Sequence, residues 1–600
     1  MSQPVSSSQG FEHFITVRDG MLMQGDAPYR FISFNVPNLH FIEDDMRFAQ
    51  VNPYRLPDAF EMRDVFATIR EMGGQALRIY AIPVRNAAFP PDAPSYVLGP
   101  GQFSEEAFCC LDRMLALANA YGVRIIVPLV NNWQWMGGRQ SYAAFRGREP
   151  DAFWTDRQII DDFKAMIHFL LMRINTVTGQ KYADDKAILC WETGNELFAP
   201  PEWTIEIARY IKSLDPNHLV MDGSRGDFSN QQPSIQAALL DEPAIDIVTT
   251  HHYEDDPALI PQHIENVIRQ INRRKAYLIG EFGFASATTI VSVLDRVIDR
   301  NRDVAGALIW CLRFRNREGG FYWHTEPLSG LYKALHWPGF PSGQSYDETR
   351  LMMTVRRKAF EIRRIVAPGI SVPEAPYLLP IDSPTTISWQ GAMGATSYIV
   401  ERAPAASGPW ECVGPNVGDD DVPYFPLFND TTVRVGGRYY YRVSAMNSAG
   451  VSSPSNCVGP VEVHFKAKID RMKSLDEVVY SAQVSPVTGG DRSFKEIRNR
   501  IAGGAGAEMV YSVPGRFQAF ALYAFEQFGD TGLRVLGSSD GSNWSDLHIE
   551  PETFTSAETN YDYWRPKLYR FQGGNTVKFL KIHFNATAQL ARVEIIYTNR

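Results

Sequence analysis

From residue 11 to about 370, short apolar runs alternate with longer stretches whose apolar residues recur every three or four positions. The short runs predict strands at 31–35, 75–80, 124–130, 187–192, 218–222, 245–250, 276–281 and 306–311. The longer ones, such as AFEMRDVFATIREMG, FSEEAFCCLDRMLALANAYG, DRQIIDDFKAMIHFLLMRIN and PPEWTIEIARYIKSLDP, predict amphipathic helices. The proline pair at 200 and 201 suits a helix start, and DPN at 215–217 a stop before the next strand. Eight strand-helix repeats predict a (β/α)8 TIM barrel over residues 1–370, with its ligand site at the C-terminal ends of the strands. A doubly wound open sheet is the rival arrangement, and it would scatter the polar strand ends along a crevice.

Near residue 371 the pattern changes. SVPEAPYLLPIDSP is proline-rich, and TTISW, SYIVERA and RYYYRVSAMN follow as short alternating strands. Trp389, the strand around Tyr398 and the stretch from Tyr439 to Asn456 make residues 373–463 resemble a fibronectin type III β-sandwich, read as a spacer. Residues 464–600 are again all-β in texture. FQAFALYAF, the SSDGSNW turn, FLKIHF and VEIIY resemble a galactose-binding-like, discoidin-type sandwich, a possible carbohydrate-binding module. Trp544 and Trp564 either stack on a sugar or belong to that domain's core, the core being the expected place. The chain is thus expected to be multidomain, a barrel followed by two β-sandwiches.

Composition narrows the function. At 600 residues the chain exceeds a single core, and 44% hydrophobic with 21% charged residues is ordinary globular composition. A net charge of -9 with no basic cluster argues against nucleic acid as a partner. No apolar run of 18 residues exists, so no membrane span is expected. The six cysteines have no metal-type spacing and are expected to be mostly unpaired thiols in apolar surroundings. MSQPVSSSQG has neither the basic nor the apolar region of a signal peptide. The expected location is nevertheless extracellular or periplasmic, with the sequence a mature form carrying an added Met1.

Two strand ends carry chemistry. AILCWETGNEL at 187–197 runs from an apolar strand into Glu192, Asn195 and Glu196, and AYLIGEFGF at 276–284 runs into Glu281. In a barrel both ends face one cavity, and paired carboxylates are what glycosidic cleavage needs. Arg78 in the second strand can hold a carboxylate ionised, THHY at 250–253 offers His251 and Tyr253, and Trp310 ends the eighth strand where an indole can stack on a sugar. Each has a plainer reading, as a core salt bridge, a buried histidine or packing. Their joint position at strand ends favours the site.

With LVNNWQWMGG at 129–138, FWTDRQIIDDF at 153–163, RINTVTGQKYADDKAILCWETGNEL at 173–197, YIKSLDPNHLVMDGSRG at 210–226 and IGEFG at 279–283, residues 11 to about 370 resemble clan A, family 5 glycoside hydrolases, and among them β-mannanases. The resemblance implies a retaining double displacement with Glu196 as general acid/base and Glu281 as nucleophile. Asn195 would bond the sugar 2-hydroxyl, Arg78 and Tyr253 would position Glu281, His251 would assist Glu196, and Trp310 would be the sugar platform. Asn132 and Trp133 are expected to bind substrate, and Glu192 to be structural. The mechanism also implies that Glu196 titrates high while Glu281 stays ionised.

The sequence departs from the family pattern in three places. Leu197 stands where proline usually follows the acid/base, His252 and Glu254 replace common residues after the sixth strand, and LRFRNREGGFYWH follows Trp310. Arg313, Arg315, Trp323 and His324 in that last stretch either narrow the cleft, contact a decorated or charged sugar, or pack along the rim. The expected function is an endo-β-mannanase acting on β-1,4-linked mannan without metal or organic cofactor. An exo-β-mannosidase or a hydrolase of another β-glycan is the alternative within the class, and a non-catalytic carbohydrate-binding protein the alternative outside it. Oligomeric state is left open.

Overall fold

The computed structural model describes residues 10–43, 54–226, 233–322, 334–340, 347–419, 426–488, 499–527, 532–553, 564–573 and 577–598. Eight parallel strands form the first sheet: β1 Phe31–Phe34, β2 Ala76–Arg78, β3 Arg124–Pro128, β4 Ile188–Glu192, β5 Leu219–Met221, β6 Ile247–His252, β7 Ala276–Phe282 and β8 Gly306–Ile309. Each pairs with its sequence neighbour, and β8 pairs with β1. The ring closes between β1 and β2 through a bridge of Asn35 with Arg78 and a 2.8 Å bond from the Val36 amide to the Arg78 carbonyl. A barrel is therefore present, not the open sheet.

The helices that follow each strand are α1 Ala59–Glu71, α2 Glu105–Tyr121, α3 Arg157–Met172, α4 Pro201–Leu214, α5 Ala237–Asp241, α6 Ile260–Ile271, α7 Ala287–Asp299 and α8 Glu348–Glu361. Their ends follow local chemistry. Asp58 and Glu61 form a reciprocal capping box on α1, Ser104 caps α2, and Pro201 opens α4 where its missing N–H costs nothing. Below the ring, the hairpin Ile15–Arg18 with Met21–Gln24 places Ile15 and Leu22 against Phe31, Ala76, Ile126, Met221 and Leu308. This plugs the N-terminal mouth, so the open mouth is at the opposite, C-terminal end. Among the described residues no helix is long and apolar enough to cross a membrane. None of the six cysteines is disulfide-bonded; Cys110, Cys190 and Cys311 are buried as expected, whereas Cys412 and Cys457 are exposed.

Beyond α8 the chain is all-β. Glu411–Val417, Ser397–Ala403, Arg438–Asn447 and Val458–Glu462 pair antiparallel, and the pair Tyr377–Leu378 and Trp389–Gln390 covers them over a core of Leu378, Trp389, Tyr398, Val400 and Tyr441. A ten-stranded antiparallel sheet from Lys466–Asp470 to Ala588–Thr598 follows, around Met509, Phe517, Leu522, Ile582 and Val593. Trp544 and Trp564 are both half-buried and outside that core, with the Lys581 ammonium 4.6 Å from the centre of the Trp544 ring.

The stretch after Trp310 decides between the readings left open for it. Arg313 and Arg315 are not cleft residues in reach of a sugar: both are buried. Arg313 donates to Asn38 at 2.9 Å, and Arg315 lies over the Phe321 ring and donates to Asp64 of α1 at 3.1 Å. Arg315 also lies 3.6 Å from Asp419, which accepts from the Tyr398 hydroxyl at 2.9 Å in the first β-rich unit. Gln390 of that unit donates to the Arg317 carbonyl at 3.1 Å. The arginine-rich loop is thus the seat on which the next unit docks. Trp323 and His324 lie outside the described residues. Because removing one partner of a buried ion pair leaves an uncompensated charge, Asp64→Ala should cost about 3–5 kcal/mol. Loss of the denaturation midpoint in urea reads this; an unchanged midpoint would contradict it.

Candidate active site

The C-terminal strand ends gather one hydrogen-bonded cluster around Arg78, which is 0% exposed. A guanidinium has five N–H donors, and all five are used. Nε and Nη2 grip Glu192 at 2.6 and 2.9 Å, Nη2 also reaches Asn195 at 2.8 Å, and Nη1 reaches Glu281 at 2.7 Å and Asn35 at 3.1 Å. Burial works against the charge, but Glu192 and Glu281 more than offset it, so Arg78 titrates above its ordinary range. Glu192, fully buried, is the counter-ion and not a group open to the cleft.

Glu281 projects from β7 beside His251 because of a β-bulge. Thr250 pairs with Ile279 but His251 pairs with Glu281, leaving Gly280 as the extra residue. A Cβ at Gly280 would lie 2.4 Å from Thr249 Oγ1 and 2.8 Å from His251 Nε2, so only glycine fits there. Glu281 Oε1 accepts from Arg78, and Oε2 accepts from the Tyr253 hydroxyl at 2.7 Å, with His251 Nδ1 at 3.5 Å.

Glu196 is reached differently. The chain after β4 stays alongside the end of β3 through the Asn131–Asn195 bridge, then turns at Glu196, whose φ of 52° is in the left-handed region. A non-glycine residue in that region is uncommon and costs free energy, of order 1–3 kcal/mol, that the surroundings must offset. The Leu197 amide does so in part, donating to the Gly223 carbonyl at 2.8 Å. A proline at 197 has no N–H for that bond. Glu196 Oε1 accepts from His251 Nδ1 at 3.0 Å and Oε2 from the Trp133 indole at 2.6 Å. Burial pushes the Glu196 carboxyl up, but His251, Trp133 and the Arg225 charge outweigh it and hold it below the usual carboxylate range. The expected upward displacement is therefore reversed in the free site. Ligand atoms of Glu196, His251 and Glu281 lie within 4.8 Å of one another. Such a group can chelate a divalent ion, although its atoms already engage one another, Arg78, Tyr253 and Trp133.

The other expected residues divide. Asn195 is in the cluster, but its amide is fully engaged, donating to the Tyr80 hydroxyl at 2.9 Å and Asn131 at 3.0 Å. Asn132 is not: its buried side chain accepts from Arg139 at 3.2 Å, and it is the neighbouring Asn131 that joins Asn195. Trp310 is 5% exposed, packed edge-on against Tyr80 and Trp135. Trp133 is 42% exposed and meets Phe198, 51% exposed, edge to face. Sequence reading missed Tyr80, Asn131, Trp135 and Phe198. Tyr80, two residues beyond Arg78 and just past the end of β2, could have been found by continuing the period of two.

Residues 12–288 match the family model described as GH family 5 beta-mannosidase-like. Over that span the barrel is similar to glycoside hydrolase family 5. Among similar proteins, mannan endo-1,4-beta-mannosidase 7 of Arabidopsis thaliana is 29% identical over 315 residues, covering 46% of this chain and 72% of that one. Mannan endo-1,4-beta-mannosidase 4 of Solanum lycopersicum is 37% identical over 145 residues, 22% of this chain and 36% of that protein. An endo-1,4-beta-mannanase structure from Rhizomucor miehei aligns with a TM-score of 0.46 at 21% identity, over 58% of this chain and 99% of that chain. The chain is a glycosidase.

One buried acid at the rim lies apart from the ion pairs. Asp222, just past β5, accepts from Ser224 through Oδ1, while Oδ2 has no partner among the described residues. Burial, assisted by the Glu192 charge and opposed by the Ser224 bonds, pushes its carboxyl up to about 8. Its unfolded value is about 3.9. The folded state therefore binds the proton more tightly, a stabilisation complete below about pH 4 and lost as the pH rises toward 8. In Asp222→Asn, which cannot ionise, the Tm advantage over wild type should widen from pH 4 to 8. A gap that stays constant with pH would contradict this.

Proposed function

We propose that the protein is a retaining endo-hydrolase of β-1,4-linked mannan, with Glu281 as nucleophile and Glu196 as acid/base. The observation that carries this reading is that one oxygen of each carboxylate lies within 4.8 Å of the other, which places the two groups side by side with no layer of water between them. Retaining enzymes hold their carboxyl groups about 5–5.5 Å apart, whereas inverting ones leave room for a water at about 6.5–9.5 Å. The donor sets support the division of labour. Glu281 receives Arg78 and Tyr253, groups that hold and aim it. Glu196 receives His251 and the Trp133 indole, which orient its carboxyl group in the site.

In the first step a Glu281 oxygen bonds to the anomeric carbon as the glycosidic bond breaks and the leaving oxygen takes a proton from Glu196. In the second, Glu196 takes a proton from water, whose oxygen displaces Glu281 and frees the sugar. Asn195 gives up one of its internal bonds to meet the 2-hydroxyl, and Trp310 lines the reactive subsite. Because Trp133 touches Glu196, the exposed Trp133 and Phe198 rings mark the leaving-group side. An open aromatic edge there suits a chain that continues past the cleavage point, and the names of the plant relatives support mannan as that chain. The reading also takes residues 373–463 as a fibronectin type III-like unit, 464–600 as a galactose-binding-like unit, and the working location as outside the cytoplasm.

Glu281→Ala and Glu196→Ala should each lower reducing-sugar release from mannan by several orders of magnitude, with a spread of oligosaccharides as the wild-type product. Near-full activity in either variant would overturn that residue's role, and mannose as sole product would overturn the endo mode.

A further inference from the structure

A second polar cluster adjoins the site. Glu254, just past β6, accepts at Oε1 from His252 Nδ1 at 2.8 Å and from His263 Nδ1 of α6 at 2.8 Å. His252 Nε2 lies 2.8 Å from Thr250 Oγ1, which lies 2.5 Å from the Tyr277 hydroxyl. Both histidines, Thr250 and Tyr277 are buried. The directions follow from the donor inventory. A carboxylate only accepts, so both imidazoles donate from Nδ1. Tyr277 can then donate to Thr250 and Thr250 to His252 Nε2, which satisfies a neutral His252 at both nitrogens. Burial pushes Glu254 up, but its two histidines more than offset this and hold it below the usual carboxylate range.

Between the two gripped positions, 252 and 254, stands Tyr253, whose hydroxyl holds Glu281 Oε2 at 2.7 Å. The loop after a barrel strand is ordinarily the mobile part of such a site. Here it is pinned on the strand side by His252 and on the helix side by His263, and both pins converge on one oxygen.

We propose that the His252–Glu254–His263 clamp is a positioning device for Tyr253, and through it fixes the orientation of the Glu281 carboxylate. It rests on the reading of Glu281 as nucleophile. Glu254 touches no reacting atom in this scheme; it fixes the backbone on which the Tyr253 ring is mounted. Small misplacements of such a group cost rate more than binding, as much as ~100-fold for ~1 Å.

The test is a double-mutant cycle with Tyr253→Phe in the full chain, using galactomannan and an aryl β-mannoside. Glu254→Ala should lower kcat roughly 10- to 100-fold with KM little changed. Glu254→Gln, whose carbonyl oxygen can accept the same two bonds, should restore most of that loss. In the Tyr253→Phe background Glu254→Ala should have almost no further effect. Should Glu254→Ala fail to fold, His263→Ala, which removes the helix-side pin, carries the same cycle. An unchanged kcat in Glu254→Ala, or an equal loss in the Tyr253→Phe background, overturns the clamp. Glu281→Ala separates the two ideas: if it remains active both fail, and if it is dead while the Glu254 and Tyr253 effects are additive, the clamp alone fails.

Discussion

Everything at the mouth of this barrel depends on Arg78. A charge taken wholly out of water is stable only when it is paired and all its donors are satisfied. Arg78 meets both conditions by drawing on four other places in the sequence: Asn35 past β1, Glu192 of β4, Asn195 beyond it, and Glu281 of β7. Its own backbone carbonyl also closes the ring between β1 and β2. Fold closure and site assembly are therefore the same event. A lysine has neither the five donors nor the planar fork to do this. Because Glu192 neutralises the guanidinium in a bidentate pair, the remaining Nη1 donor can orient Glu281 without a large unbalanced charge in the core.

The two carboxylates reach the cavity by different backbone devices. Glu281 is re-aimed by a bulge at Gly280, inside a strand with little freedom. Glu196 sits on a left-handed turn outside any strand, held by the Leu197 amide on Gly223. The rigid mounting belongs to the proposed nucleophile, which must be aligned with the anomeric carbon. The turn belongs to the residue whose partners are a leaving oxygen and then a water.

Much of this was legible in the sequence because it is written in short-range patterns. Apolar runs located all eight barrel strands to within about three residues, since each is buried on both faces. The strand-end rule singled out Arg78, Asn195, Glu196, His251, Tyr253 and Glu281, and all six meet in one cluster. What was not legible depended on side-chain direction or on contacts between distant segments. Asn131 and Asn132 are identical in type, and only the bridge to Asn195 decides that 131 points inward. For the arginines after Trp310 the sequence left cleft contact and rim packing both open, because a polar loop at a barrel mouth can do either. Their partners, Asp64 and Asp419, lie about 250 residues before and about 100 residues after Arg315, and no local pattern announces them.

The reversed titration of Glu196 also has a physical reading. Under the proposed roles, the free site holds two carboxylates within 4.8 Å of each other, with one imidazole between them. When Glu281 becomes an ester it loses its negative charge, and the proton affinity of Glu196 falls further, because a nearby anion favours the protonated form. In the first step, with Glu281 ionised, Glu196 holds a proton more readily than in the second and can give it to the leaving oxygen. In the second, with that charge gone, Glu196 prefers the carboxylate form it needs to receive a proton from water. The acid and the base are thus one group in two electrostatic settings. A permanently high value at Glu196 would serve only the first step, whereas one that drops once the Glu281 charge is gone also serves the second.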